Sequence, residues 1–197
     1  MGFDIYGLDP NLKSQRPTID WDKATDNDKD TYFKALNKFE EENPGYYFRN
    51  NVWWWRPLAE LIIDKCSDLI THEQARDLHN NSGRQFGKGT SIAIANRLQS
   101  LIDNGYVDDL EKSIKANSEK AEAHNKKIEA KLKALAKKVK ELRPNENLAP
   151  KDYPYPYNEH WKEISSQKNW DSSYPFNKEN VIEFIRFSRA SGGFEVC

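Results

Sequence analysis

Three successive tryptophans, Trp53-Trp54-Trp55, lie between Arg49 and Arg56, with Tyr47 just upstream. An indole offers a flat face for stacking, and a guanidinium pairs with phosphate or carboxylate or stacks on a ring. Such a set could hold a flat, anionic ligand, with a base on a ring and a phosphate on an arginine. The same residues could equally form an aromatic core with arginines over its edge. Three adjacent tryptophans cannot all face inward on a strand or a helix, so at least one should lie near the surface.

A second candidate is the stretch Gly83–Ser91. Glycines permit close backbone approach, Arg84 and Lys88 bring charge, and Thr90 stands at the start of an apolar-periodic segment whose first N–H groups would be free. That composition suits an anion cradle, or simply a flexible capped loop. It is not a P-loop, because only three residues separate Gly83 from Gly87-Lys88 and Gly89 follows the lysine. The expected ligand-binding residues are therefore Tyr47, Arg49, Trp53, Trp54, Trp55, Arg56, Arg84, Lys88 and Thr90.

Histidine chemistry is not indicated. His72-Glu73-Gln74-Ala75-Arg76 lacks the second histidine of a zinc-protease helix, and His72 and His79 have no third ligand in view. His124 sits in a charged helical stretch and His160 beside Trp161. No catalytic residue, metal or cofactor is expected, and the reading leans away from an enzyme.

The elements that must position these residues follow from periodicity. Phe3 and Ile5 alternate against Asp4, predicting a strand over 2–8. Phe33, Leu36 and Phe39 predict a helix over 26–42, stopped by Asn43-Pro44-Gly45. Pro57 suits the first turn of a helix carrying Leu58, Leu61, Ile62, Cys66 and Leu69. Thr71 with Gln74 reads as a capping box. Ile92, Ala95, Leu98 and Ile102 predict another helix, ended by Gly105.

Residues 108–142 read as one long Lys/Glu/Ala-rich helix. Ile114, Ala121, Ile128, Leu135 and Leu142 fall every seven residues, with Asn125 at an intervening heptad position like a register-setting polar residue. That helix could self-associate, pack only its apolar end, or contact phosphates through its lysines. The proline-rich stretch 144–175 reads as extended chain. Asn177 should cap a last helix, and Phe194–Cys197 a closing strand. The expected fold is α+β, mostly α. It would be a compact helical domain with a small pairing of N- and C-terminal strands and a long projecting basic helix. Residues 1–107 and 171–197 would form an aromatic-rich core, 108–143 the arm and 144–170 a connecting segment.

Composition narrows the class. The chain has 197 residues, 31% of them charged, yet a formal net charge of only −1. The charge is segregated: residues 111–143 hold eleven Lys/Arg against five Glu. The balance argues against both a nucleic-acid mimic and a broadly basic nucleic-acid binder. No apolar run reaches the ~18 residues of a membrane helix, and the amino-terminal stretch lacks a signal peptide's h-region. Two cysteines cannot make a disulfide scaffold, so a reducing cytoplasm is expected.

Several segments together resemble a family of small proteins encoded by bacteriophages and prophages. They are MG-x-D-x-YG-x-x-P at the start, YFRNNVWWWRPL at 47–58, Asn81-Ser82-Gly83, and the tail YPF-x-x-ENV-x-x-F with SGGFEVC. The likeness covers roughly the first hundred residues and the last thirty, and not 108–170. It implies a phage setting, an accessory or counter-defence role, and a bacterial host's cytoplasm. It transfers no functional residue, because no activity is established for the family. The expectation is a non-enzymatic protein binding a nucleotide-like ligand through an aromatic/Arg cluster. The alternative is an interaction factor that inhibits or recruits a host protein through its helical arm and exposed aromatics. Homo-oligomers through 108–142 are a further possibility.

Overall fold

The computed structural model describes residues 2–197. Four short strands, β1 (Gly2–Gly7), β2 (Tyr47–Asn51), β3 (Arg84–Gly87) and β4 (Gly193–Val196), pair antiparallel in the order β2-β1-β4-β3. Among the described residues seven α-helices accompany them: α1 (Asp26–Glu42), α2 (Val52–Lys65), α3 (His72–Asp77), α4 (Lys88–Asp103), α5 (Tyr106–Leu142), α6 (Tyr157–Ser165) and α7 (Lys178–Ala190). The fold is α+β and mostly α. The pairing of the terminal strands is present as β1 with β4, and the sheet extends one strand further on each side.

The chain forms two compact units, one comprising everything up to Glu111 with Phe176–Cys197, the other Lys112–Pro175. In the first, strand alternation sends Phe3, Ile5, Phe48, Phe86, Phe194 and Val196 to one face, where all are buried. Helices α2, α4 and α7 pack there, and α4 and α7 pack against each other. The core is a chain of rings. Phe86 stacks on Phe194 at 4.5 Å, Phe194 meets Phe184 edge-on at 5.6 Å, and Phe184 meets both Phe48 and Trp55 edge-on. Each such pair adds roughly 0.5–1.5 kcal/mol beyond area burial, so the aromatics supply what a strongly charged chain lacks in aliphatic residues.

Glycine sets how tightly the loops close. A Cβ on Gly45 would overlap the Ala190 carbonyl, and one on Gly192, at φ +66°, would overlap the Asp9 carbonyl. The turns after β1, before β2 and before β4 therefore cross backbone against backbone.

Helix α2 begins at Val52 rather than at Pro57. Asn51 accepts hydrogen bonds from the Trp53 and Trp54 amides and so caps the helix one turn earlier, with Pro57 inside it. Residues 84–87, expected as loop, are strand β3.

In the second unit the heptad residues Ala121, Ile128, Leu132, Leu135 and Val139 are buried. Asn125 holds chain of its own unit: its Nδ2 donates to the Asn169 carbonyl at 2.6 Å, and the Asn169 amide donates back at 2.9 Å. The stretch expected as extended chain contains α6 and short 3-10 turns at Pro150–Asp152 and Asp171–Ser173. Tyr153 meets Trp161 edge-on at 5.5 Å. Among the described residues no helix is long and apolar enough to cross a membrane.

Candidate functional site

The nine expected ligand-binding residues do not share one cleft. Trp55 is fully buried: its Nε1 donates to the Leu78 carbonyl at 2.6 Å and its ring stacks on Phe3. It has no face left for a ligand. Trp54 is half-buried and lines a shallow hollow with Asn50, Asn177, Asn180, Glu179 and Glu183, whose carboxylates disfavour an anion. Trp53 is 46% exposed and Arg56 is exposed on the same helix. Arg84 is spent elsewhere. Its Nε and Nη2 bind the buried Asp77 carboxylate at 2.7 and 2.6 Å, and Arg76 binds the other oxygen at 2.9 Å.

Lys88 and Thr90 lie in the first turn of α4. Lys88 lines a cleft of about 400 Å³ together with Lys13, Arg189, Asp9 and Glu42. That cleft and the tryptophans belong to opposite ends of the sheet. Trp53 follows the end of β2 that pairs with Gly2, whereas Lys88 follows the end of β3 at Gly193, one residue past the level of Gly7. The five steps of β1 between them span roughly 16 Å at ~3.3 Å each.

Tyr47 and Arg49, by contrast, point to a common surface. Opposite residues of paired strands share a face. The register therefore lines up Gln85, Glu195, Tyr6 and Tyr47 as one row across all four strands, on the face away from the aromatic core. Asp4, Arg49 and Cys197 form the next row, since Asp4 and Cys197 exchange backbone hydrogen bonds and Asp4 pairs with Arg49. Among the described residues no helix buries this face: Tyr6 is 43% exposed, and Arg49 and Gln85 are exposed.

The polar groups here are linked. The Tyr47 hydroxyl donates to Asp4 Oδ1, which also faces Arg49 Nε at 3.5 Å. Gln85 Nε2 donates to Glu195 Oε2 at 2.7 Å, and the Cys197 thiol lies 3.1 Å from the other oxygen. The Tyr6 and Tyr47 rings are 5.1 Å apart and tilted by 36°.

Protonation follows from these contacts. Partial burial, then the bond to Asp4, holds the Tyr47 phenol well above its usual range. Burial and the Asp4 charge raise Tyr6 as well. Both are neutral donors at pH 7. The Gln85 and Cys197 hydrogen bonds hold Glu195 below its usual range. Burial, then Glu195, pushes the Cys197 thiol up to about 11, so it is protonated and a poor nucleophile.

Sequence reasoning found Tyr47 and Arg49 and missed Asp4, Tyr6, Gln85, Glu195 and Cys197. The signal was the polar half of each alternating strand, Asp4/Tyr6, Tyr47/Arg49 and Glu195/Cys197. Among the described residues no group of three or more His, Cys, Asp and Glu is disposed to hold a metal ion. His79 pairs with Glu60 at 3.2 Å and His124 with the Gln167 carbonyl at 2.8 Å.

No protein-family model matches the chain, and neither a curated protein nor a solved structure matches it.

Proposed function

We propose that the protein binds a nucleotide-like ligand, without chemical turnover, on the open face of its sheet. The observation that carries this reading is the row Gln85–Glu195–Tyr6–Tyr47 with Arg49 beside it, all on the face opposite the core. The expected aromatic/Arg chemistry is kept, and its location moves from the tryptophan run to the tyrosine pair. Two adjacent rings offer a stacking platform, sheet faces being suited to splayed bases. Arg49 keeps 68% of its side chain exposed while touching Asp4, so further donors remain for a phosphate. The Gln85–Glu195 pair presents amide and carboxylate groups to the ring and hydroxyl edges of a nucleoside. The one thiol in the cluster is held protonated at pH 7, which disfavours a cysteine nucleophile on this face. The segments that carry the likeness to phage-encoded proteins supply the β1, β2 and β4 residues of this face and not Gln85, in keeping with an accessory binding role.

The test is calorimetric titration with ribonucleoside mono-, di- and cyclic phosphates. A stacked base is worth ~1–3 kcal/mol, so Tyr6→Ala should weaken binding about tenfold. Arg49→Ala should cost a similar factor for nucleotides and little for the free nucleoside. Trp53→Ala should leave affinity unchanged. Absence of binding across the panel, or affinity indifferent to both Tyr6→Ala and Arg49→Ala, overturns the reading.

A further inference from the structure

Helix α1 runs for 17 residues, yet Phe39 is its only buried residue. A helix of that length is marginal in water unless an apolar face is covered. Tyr32, Leu36 and Phe39 form such a face at i, i+4 and i+7. Its carboxyl-terminal end is occupied, with Phe39 edge-on to Tyr46 at 5.0 Å. Its amino-terminal end is open. Trp21 is 55% and Phe33 49% exposed, and both rings touch Tyr32, at 5.4 and 5.5 Å. Tyr32 also walls a groove of about 430 Å³ whose apolar lining is Pro17, Ile19, Ala24 and Ala35. Contiguous exposed aromatics beside a groove mark an interaction surface far more often than a bare one.

Charge selects the partner. Residues 20–42 carry eight Asp/Glu against four Lys. Three of those lysines are already matched, Lys23 with Asp20 at 3.3 Å, Lys29 with Asp26 at 3.1 Å and Lys38 with Glu42 at 3.9 Å. Asp22 and Asp30 have no side-chain partner among the described residues. Such surroundings repel phosphate polymers and anionic lipid and attract a cation. An exposed indole adds a cation–π face for Lys or Arg.

We propose that the Trp21–Tyr32–Phe33 patch and its groove dock a cationic amphipathic segment of another protein. The segment's apolar side chains fill the groove, and its Lys or Arg side chains meet Asp22, Asp30 and the Trp21 ring. This surface is separate from the sheet face and does not depend on nucleotide binding.

The probe is a fluorescent Leu/Lys helix-forming peptide of about five turns, roughly 18 residues. Its controls are a Leu/Glu peptide of the same pattern and an oligolysine without leucine. Anisotropy should show binding of the Leu/Lys peptide alone. Trp21→Ser with Phe33→Ser should weaken it roughly tenfold or more, as for buried aromatic anchors. Asp22→Lys with Asp30→Lys should weaken it by a smaller, salt-dependent factor. Ala35→Arg, which removes no packed side chain, should do the same and keeps the test valid if the serine pair disturbs α1. Equal binding of oligolysine would reduce the effect to bare charge and overturn the proposal. So would equal binding of the Leu/Glu peptide, no binding at all, or indifference to the aromatic variants. Self-association of the free protein abolished by Trp21→Ser and Phe33→Ser would also overturn it, by assigning the patch to a second copy.

Discussion

Successive residues on a helix are about 100° apart, so Trp53, Trp54 and Trp55 cannot share an environment. The run reads as one feature in the sequence and is three in the fold: an exposed ring, a half-buried ring and a core ring. Only Trp55 carries the core, through Phe3, Phe184 and the bond to the Leu78 carbonyl. Trp55→Ala should cost ~3–5 kcal/mol, the range for emptying a buried aromatic site. Trp55→Phe should cost less, ~1–3 kcal/mol, chiefly by leaving the Leu78 carbonyl without its donor. Trp53→Ala should stay under ~1 kcal/mol, as surface changes do. Urea unfolding of the three variants checks the ranking, and a Trp53 cost equal to that of Trp55 would refute the assignment. The same residue-level logic explains what was legible in the site. Tyr47 and Arg49 stood out because they adjoin the tryptophans. Glu195 and Cys197 did not, because their value lies in strand register with residues nearly two hundred positions away.

Elements with local signals were readable. The Thr71–Gln74 capping box, the Asn177 cap and the left-handed Gly105 all occur as their residue types dictate. Beyond the expected pairing of the terminal strands, elements fixed by long-range pairing were not. Strand β3 has four residues, two of them Arg84 and Gly87, and exists because β4 pairs with it. Helix α3 also secures it: Gln74 Nε2 donates to the Gln85 carbonyl at 3.0 Å, and Asp77 receives Arg84. A hydrogen-bond acceptor on a short helix thus decides whether an arginine is free for a ligand, and no spacing in the sequence announces it. The Arg76 hydrogen bond, then that of Arg84, holds the Asp77 carboxyl below its ordinary range. The folded state therefore takes up this proton at lower pH than the unfolded chain. The stability from the pair is fully present above about pH 4, the unfolded value, and is lost as pH falls through the lowered folded value. Asp77→Asn should lower Tm at pH 7, with the gap to the parent closing as the pH falls below about 4. A gap independent of pH would show that packing, not charge, sets the cost.

At the scale of the molecule, a net charge of −1 conceals two oppositely charged tracts. Residues 20–42 hold eight acidic against four basic residues, and 111–143 eleven basic against five acidic. Of the heptad positions in the basic tract, Ala121, Ile128, Leu132, Leu135 and Val139 are buried and Leu142 is exposed, and residues 143–175 belong to the same compact unit. The lysines of the tract remain in water: 126, 127, 131, 133, 137 and 138 are all exposed. Fields of clustered charge reach about a Debye length, ~10 Å at 0.1 M salt, so a surface meets a tract before it meets the net charge. At pH 7 and low salt the protein should therefore be retained on a cation exchanger despite its formal negative charge, and elute early as salt rises. Replacing those six lysines by glutamine should abolish retention, although each replacement keeps a long polar side chain on the exposed face. Retention that survives all six changes would place the cationic surface elsewhere. Retention lost on replacing Lys13, Lys88 and Arg189 instead would move it to the cleft at the start of α4.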